Sequence, residues 1–230
     1  MVRKRSEGAA KKATKRSPAA ASAPPPEPGR RKPTQARSQR RLEAIVIAAA
    51  EAFAAHGFAD TTMEGIAARA GTSIGSLYQF FPNKTAVFRE VAGRCMQDAR
   101  RGFAEFLGPT PLRQPWHELL GRVVDGFRRL HRESVVMQAV WRNLELYGEY
   151  AEADQALVRE VVQVTAALMA GWVPRLGEEQ RRVVATVLVN TVAGTMLVLA
   201  REEDEARGDA IAAETKLMLT RYLSVYLGEP

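Results

Sequence analysis

A chain of 230 residues, 46% hydrophobic and 26% charged, holds ample apolar material for a core, so it is not a wholly disordered protein. Its net charge of +7 is uneven: residues 1–41 carry 13 Lys and Arg against only Glu7 and Glu27, and the remainder is net acidic. The single cysteine, Cys95, excludes an internal disulfide framework, and no Cys/His spacing suggests a metal site.

Residues 1–34 are built mainly from Ala, Lys, Arg, Pro and Ser. Such a segment cannot bury enough apolar surface to offset its ordering entropy, so it reads as a disordered basic arm. Two roles stand for it: an arm that tracks a polyanion such as nucleic acid, or a solvated tail. It lacks the continuous apolar stretch of a secretory signal.

From Gln35 the pattern is helical. Leu42, Ile45, Val46, Ala49 and Phe53 share one face, and Gly57 ends the run. A short second helix follows, with Thr61 and Glu64 at capping-box spacing, Met63, Ile66, Ala67 and Ala70 on its apolar face, and Gly71 closing it. The next stretch, G-T-S-I-G-S-L-Y-Q-F-F-P-N-K over 71–84, reads as a third helix with Ile74, Leu77, Tyr78 and Phe81 inward. Its outer arc of Thr72, Ser73, Gly75, Ser76, Gln79 and Phe80 is small and uncharged, where a surface helix usually carries Lys and Glu. A short helix, a glycine turn and a second helix with small polar residues outward make a helix-turn-helix at about 62–81. Its second helix suits the DNA major groove, since small residues let the backbone approach base edges.

A fourth helix starts near Lys84, turns Val87, Phe88 and Val91 inward and extends as far as Leu107. Gly108 to Pro115, with three prolines, breaks the pattern. Five further helices are expected at about 116–131, 134–147, 149–173, 178–203 and 209–227. The fold class is therefore all-α.

The span T-T-M-E-G-I-A-A-R-A-G-T-S-I-G-S-L-Y-Q-F-F-P-N-K-T-A-V-F resembles the DNA-binding domain of the TetR family of bacterial transcriptional repressors. The resemblance covers roughly residues 37–98. It implies a three-helix DNA-binding domain over 35–98 joined to a larger helical domain over 99–230, which binds an effector and dimerises. It also implies roles. Ser73, Gly75, Ser76 and Gln79 face the groove, and Gln79 suits a bidentate contact to adenine. Thr62 and Tyr78 contact phosphate, with capping and core packing as their respective alternatives, and Lys84 binds phosphate at the start of the fourth helix. Arg37, Arg40 and Arg41 grip the backbone. One common variant of the family has His where this chain has Phe80, which either touches a thymine methyl or only packs.

In the second domain, Thr186, Asn190 and Gly194 form a small, weakly polar stripe at four-residue spacing. The stripe suits a subunit interface, with Met218 and Tyr222 of the last helix as the other half. The same run, Val183 to Ala200, is at the lower limit of length for a membrane span, but Asn190 within it favours the interface. Trp116, Met137, Trp141, Asn143, Tyr147, Met169 and Trp172 are candidates to line an apolar effector pocket, ordinary core being the alternative for each aromatic. His131 and Asn190 are further candidates to orient a ligand.

The resemblance implies a cytoplasmic homodimer that represses from a pseudo-palindromic double-stranded operator and is released by a largely apolar small molecule. The alternative is a DNA binder that takes no effector. Three histidines, one cysteine and no Gly-rich phosphate loop give an enzyme little to work with, and no cofactor is implied.

Overall fold

The computed structural model describes residues 33–228, and residues 1–32 of the basic arm expected over 1–34 lie outside them. The described elements are nine α-helices and two short 3-10 turns. In chain order the helices are α1 (Pro33–Asp60), α2 (Met63–Arg69), α3 (Ile74–Phe80), α4 (Lys84–Leu107), α5 (Trp116–Glu133), α6 (Val135–Arg142), α7 (Ala151–Trp172), α8 (Glu178–Leu199) and α9 (Glu205–Leu227). The 3-10 turns span Pro111–Arg113 and Leu144–Glu149.

Helices α1 to α4 form the N-terminal head. Ile45, Ala49 and Phe53 of α1, Ile66 of α2, Leu77 of α3 and Phe88 of α4 are fully buried together. Phe53, Phe58 and Phe88 pack with centroids 5.6–5.8 Å apart, two of the pairs edge-on. Short helices need caps because their free backbone groups are a large share of the whole. Thr62 Oγ1 accepts from Gly65 N at 3.0 Å, Ser73 Oγ from Ser76 N at 3.2 Å, and Asn83 Oδ1 from Ala86 N at 2.8 Å. The cap of α2 is thus Thr62, one residue later than the capping-box spacing suggests. Thr61 is buried, and its hydroxyl donates to Gly57 O at 2.7 Å. Gly57 sits at φ 79° and kinks the last turn of α1, a conformation that a side chain would strain.

The head core does not stop at the head. Val136, Met137, Ala139 and Val140 of α6 and Leu157 of α7 belong to the same buried cluster. A second cluster joins Val124 of α5, Met169 of α7, Val184 and Met196 of α8, and Leu219 and Leu223 of α9. Phe127 and Trp141 pack against both clusters and weld them together.

Three helix ends differ from the sequence expectation. Helix α6 stops at Arg142 instead of running to Tyr147, because the Asn143 side chain turns back to bond Ala139 O at 2.7 Å and reaches α1. Helix α8 ends at Leu199, short of Glu203, and α9 begins at Glu205, ahead of Asp209. Asp204 explains the second shift, as its Oδ1 accepts from Ala206 N at 2.9 Å and from Arg207 N at 3.2 Å. By length and composition α1 and α8 are each apolar enough to cross a membrane. In α1 the apolar face is the head core itself. In α8 a stripe lies exposed on the single chain, Val183 at 52%, Val187 at 45% and Val198 at 54%.

Candidate nucleic-acid interface and the cavity behind it

The third helix presents Ser73, Gly75, Tyr78 and Gln79 to solvent, while Leu77 and Phe81 anchor it from below. Two sequence expectations are corrected here. Tyr78 is 50% exposed and Ile74 is 37% exposed, so neither belongs to the buried arc. Phe80 is half-buried and packs on the head core, which removes it from the outer face. A seven-residue helix rotates its side chains 100° per residue, so Leu77, Phe80 and Phe81 make the narrower inward arc.

Arg37, Arg40 and Arg41 are exposed on the first turns of α1. Arg41 Nη1 donates to Ser76 Oγ at 3.2 Å, which brings the basic end of α1 beside α3. Thr62 is exposed at the N-terminus of α2, its hydroxyl serving as the cap. Arg69 pairs with Glu51 at 3.3 Å and ties α2 to α1.

Lys84 does not join this face as a free cation. Its ammonium donates to Phe58 O at 2.6 Å, Ala59 O at 3.1 Å and Thr61 O at 2.6 Å, and lies 4.5 Å from the Phe58 ring centroid. An ammonium has three protons, so these three carbonyls use them all. In the free chain Lys84 is a clamp: it closes the C-terminal end of α1, where backbone carbonyls attract a positive charge.

Behind the head, helices α4 to α9 line a cavity of about 510 Å³. Trp116, Met137, Trp141, Tyr147, Met169 and Trp172 all line it, as do Asn190 and Gly194 of α8. Asn143 does not. It is buried and held by Phe58 N, Phe53 O and Ala139 O, which occupies its amide entirely within the fold. His131 is also elsewhere, stacked on Trp141 at 4.5 Å and facing a smaller charged cleft between α5 and the α8–α9 connection. Burial lowers its pKa, so it favours the neutral form.

Sequence reasoning missed Cys95, Tyr150 and Asp154, which also line the cavity. Burial pushes the Cys95 thiol up to about 12, so it acts as a small apolar group. Asp154 had a legible signal. It falls in helical register with Leu157, Val158, Val161, Thr165 and Leu168 of α7, all of which line the same cavity. A carboxylate on an apolar stripe is the kind of exception that marks a site. Burial raises its pKa, while a hydrogen bond from Tyr147 Oη at 3.1 Å partly offsets that.

The stripe of Thr186, Asn190 and Gly194 is exposed on α8, and Met218 is 52% exposed on α9. Tyr222 is half-buried against the second core and against Tyr226, with ring centroids 5.6 Å apart.

A family model described as bacterial regulatory proteins of the tetR family matches residues 45–91, and a tetracyclin repressor-like C-terminal domain model matches residues 115–223. The chain is 27% identical over 124 residues to YhgD of Bacillus subtilis, an uncharacterized HTH-type transcriptional regulator, covering 54% of this chain and 60% of that one. It is 28% identical over 141 residues to the HTH-type transcriptional repressor BepR of Brucella suis, covering 60% of this chain and 66% of the relative. The matched segment thus spans less than two thirds of either relative. A TetR-family regulator from Pectobacterium atrosepticum has the same fold, with TM-score 0.64 and 19% identity over 85% of this chain and 98% of that one. Both halves of the architecture, the helix-turn-helix head and the cavity-bearing helical body, match this one family: the chain belongs to the TetR family of bacterial regulatory proteins.

Proposed function

We propose that this chain is a cytoplasmic, homodimeric, ligand-responsive transcriptional repressor, with residues 35–98 as the DNA-binding domain and 99–230 as the effector and dimerisation domain. The observation that carries the DNA-binding half is the bare outer face of α3 beside exposed arginines. Gly75 is the pointed case. A Cβ there would meet nothing within 4 Å, so the fold does not need glycine at that position. Glycine costs up to about 1 kcal/mol relative to alanine in a helix interior, and less in the first turn, where Gly75 sits. Close approach of a partner's surface accounts for it.

Gln79 would read a base edge, while Arg37, Arg41, Thr62 and Tyr78 would hold phosphates and fix the register. The exposed apolar stripe of α8, with Met218 of α9, would meet its copy around a twofold axis and place two α3 helices about 34 Å apart. BepR, a similar protein, is a repressor, which supports repression as the sign of regulation.

Effector control rests on the cavity and its wiring. Tyr150 lines the cavity and also packs on Phe88 of the head, with centroids 6.3 Å apart. Tyr147 stacks edge-on to Tyr150 at 5.2 Å. A ligand that moves these rings acts on the core where α1, α4 and α6 meet. DNA and effector would then oppose each other through one coupling free energy. A dimerising body that takes no effector would have no use for a cavity of about 510 Å³, a volume within the usual range for small-molecule sites.

The test is selection of bound fragments from genomic DNA by purified protein, repeated with Gln79→Ala. An inverted repeat, relaxed at one position per half-site by Gln79→Ala, is the expected result. Binding with no sequence preference would reject the regulator reading.

A further inference from the structure

Asp154 is the only formally charged side chain among the described residues that line the cavity. It sits in the first turn of α7, four residues after Tyr150, which lines the same cavity and packs on Phe88 of the head. The arginines of α4 that reach toward this side hold other acids: Arg89 pairs with Glu149 at 2.7 Å and Arg100 with Glu160 at 2.8 Å. Arg94 pairs with Glu43 at 3.3 Å and Asp98 at 3.2 Å. The one side-chain hydrogen bond to Asp154 comes from Tyr147 Oη, at 3.1 Å. A carboxylate offers about four lone-pair sites, so most of its accepting capacity is directed elsewhere.

The walls around it are aromatic. All three tryptophans of the chain, Trp116, Trp141 and Trp172, line the cavity, together with Tyr147 and Tyr150. Aromatic faces carry negative quadrupole potential and attract cations, most strongly where water is excluded. An anionic ligand would bring a second negative charge into this space with no Lys or Arg lining it. A neutral ligand would desolvate the carboxylate without compensating it. A compact, strongly hydrated ammonium ion would leave the apolar volume unfilled.

The geometry points to a lipophilic organic cation as the effector, its charge beside Asp154 and its apolar body along α7 and α8 among the tryptophans. This rests on the reading of the cavity as an effector site and adds the ligand's chemical class. Partial compensation of Asp154 already comes from the α7 N-terminus, whose dipole favours a negative charge. That explains how the carboxylate is tolerated in the absence of ligand. It does not explain why Asp154 points into the cavity while Glu152, in the same turn, is exposed.

The test uses three probes of similar shape: tetraphenylphosphonium (cation), triphenylphosphine oxide (neutral) and tetraphenylborate (anion). Each is titrated into the full chain and read by tryptophan fluorescence, since every tryptophan faces the cavity. The cation is expected to bind roughly tenfold or more tightly than the neutral probe, and the anion weakest. Asp154→Asn should abolish that order, and Asp154→Glu should preserve it, with thermal melts showing that both variants fold. Equal binding of all three probes, the same preference in Asp154→Asn, or no quenching by any probe would overturn the proposal.

A second readout separates this from the effector reading: release of the protein from a DNA fragment that it has itself selected. Charge-selective quenching without release would support the cation site and sink effector control. Release by the neutral or anionic probe, with no preference for the cation, would keep effector control and sink the cation site.

Discussion

Asn143 Oδ1 accepts the Phe58 backbone N–H at 2.6 Å, joining residues 85 positions apart and fixing the body of the protein to the last turn of α1. Its Nδ2 donates to Phe53 O at 3.3 Å and Ala139 O at 2.7 Å, so one buried amide ties three backbone groups together. The bond to Phe58 falls next to Gly57, where α1 is kinked and cannot satisfy its own ladder. Asn143→Ala leaves these groups buried without partners and should cost about 3 kcal/mol of unfolding free energy. Denaturant melts of the two proteins give the number directly. A loss below about 0.5 kcal/mol, within the range of an ordinary surface change, would show that the amide is not a strut.

Lys84 distinguishes a clamp from a phosphate ligand. Lys84→Met should lower the melting temperature, because three carbonyls lose their donor, yet leave the salt dependence of DNA affinity unchanged. A phosphate contact would instead reduce the slope of log K against log salt by about 1. That reduction in slope would restore Lys84 to the interface.

Gly75 offers the opposite dissociation. Gly75→Ala should stabilise the protein by up to about 0.5 kcal/mol, since the added Cβ meets nothing and helix propensity improves within the first turn. Gly75→Leu should weaken operator binding by about tenfold or more with no fall in melting temperature. Tight DNA binding by the leucine variant would mean that α3 does not enter a groove backbone-first.

The exposed apolar stripe on α8 and α9 predicts the oligomeric state. Val187→Glu or Met218→Glu should convert a dimer to monomers in sedimentation velocity and greatly weaken binding to a two-half-site operator. Neither side chain is buried in the single chain, at 45% and 52% exposure, so the monomer should still melt cooperatively. A wild-type chain that sediments as a monomer at micromolar concentration would end the twofold model.

Asp154 gives a pH signature. Burial raises its pKa in the folded protein above the unfolded value, so the native state holds the proton more tightly. The carboxyl therefore favours folding below the ordinary carboxylate range, and that contribution is lost as pH rises through the folded pKa. Asp154→Asn should melt above wild type near pH 7, and the gap should close at about pH 3.5, where both side chains are neutral. An equal difference at both pH values would assign the effect to shape and not to charge.

The helical fold class and the small, uncharged outer face of α3 were legible in the sequence because both are local. Helical period, the glycine at Gly71 and the small residues of 72–79 act within a few positions of each other, and a short periodic pattern encodes them. The tryptophans and Tyr147 were recognisable as pocket candidates only by their size, the pocket itself being implied by the family resemblance. What they enclose depends on how six helices pack, and only the tertiary structure decided it. Tyr78 and Phe80 exchanged places for the same reason: two aromatics two positions apart on a short helix fit the pattern either way, and the supporting core selects between them.

Asn143 and Lys84 mark the limit most clearly. Asn143 was read as a candidate to orient a ligand and Lys84, by resemblance, as a phosphate ligand, and in neither case does the sequence show a partner inside the protein. Both were claimed by backbone groups exposed where α1 kinks at Gly57. A buried carbonyl or N–H must be satisfied, and across 26 or 85 residues only the folded chain shows which side chain does so.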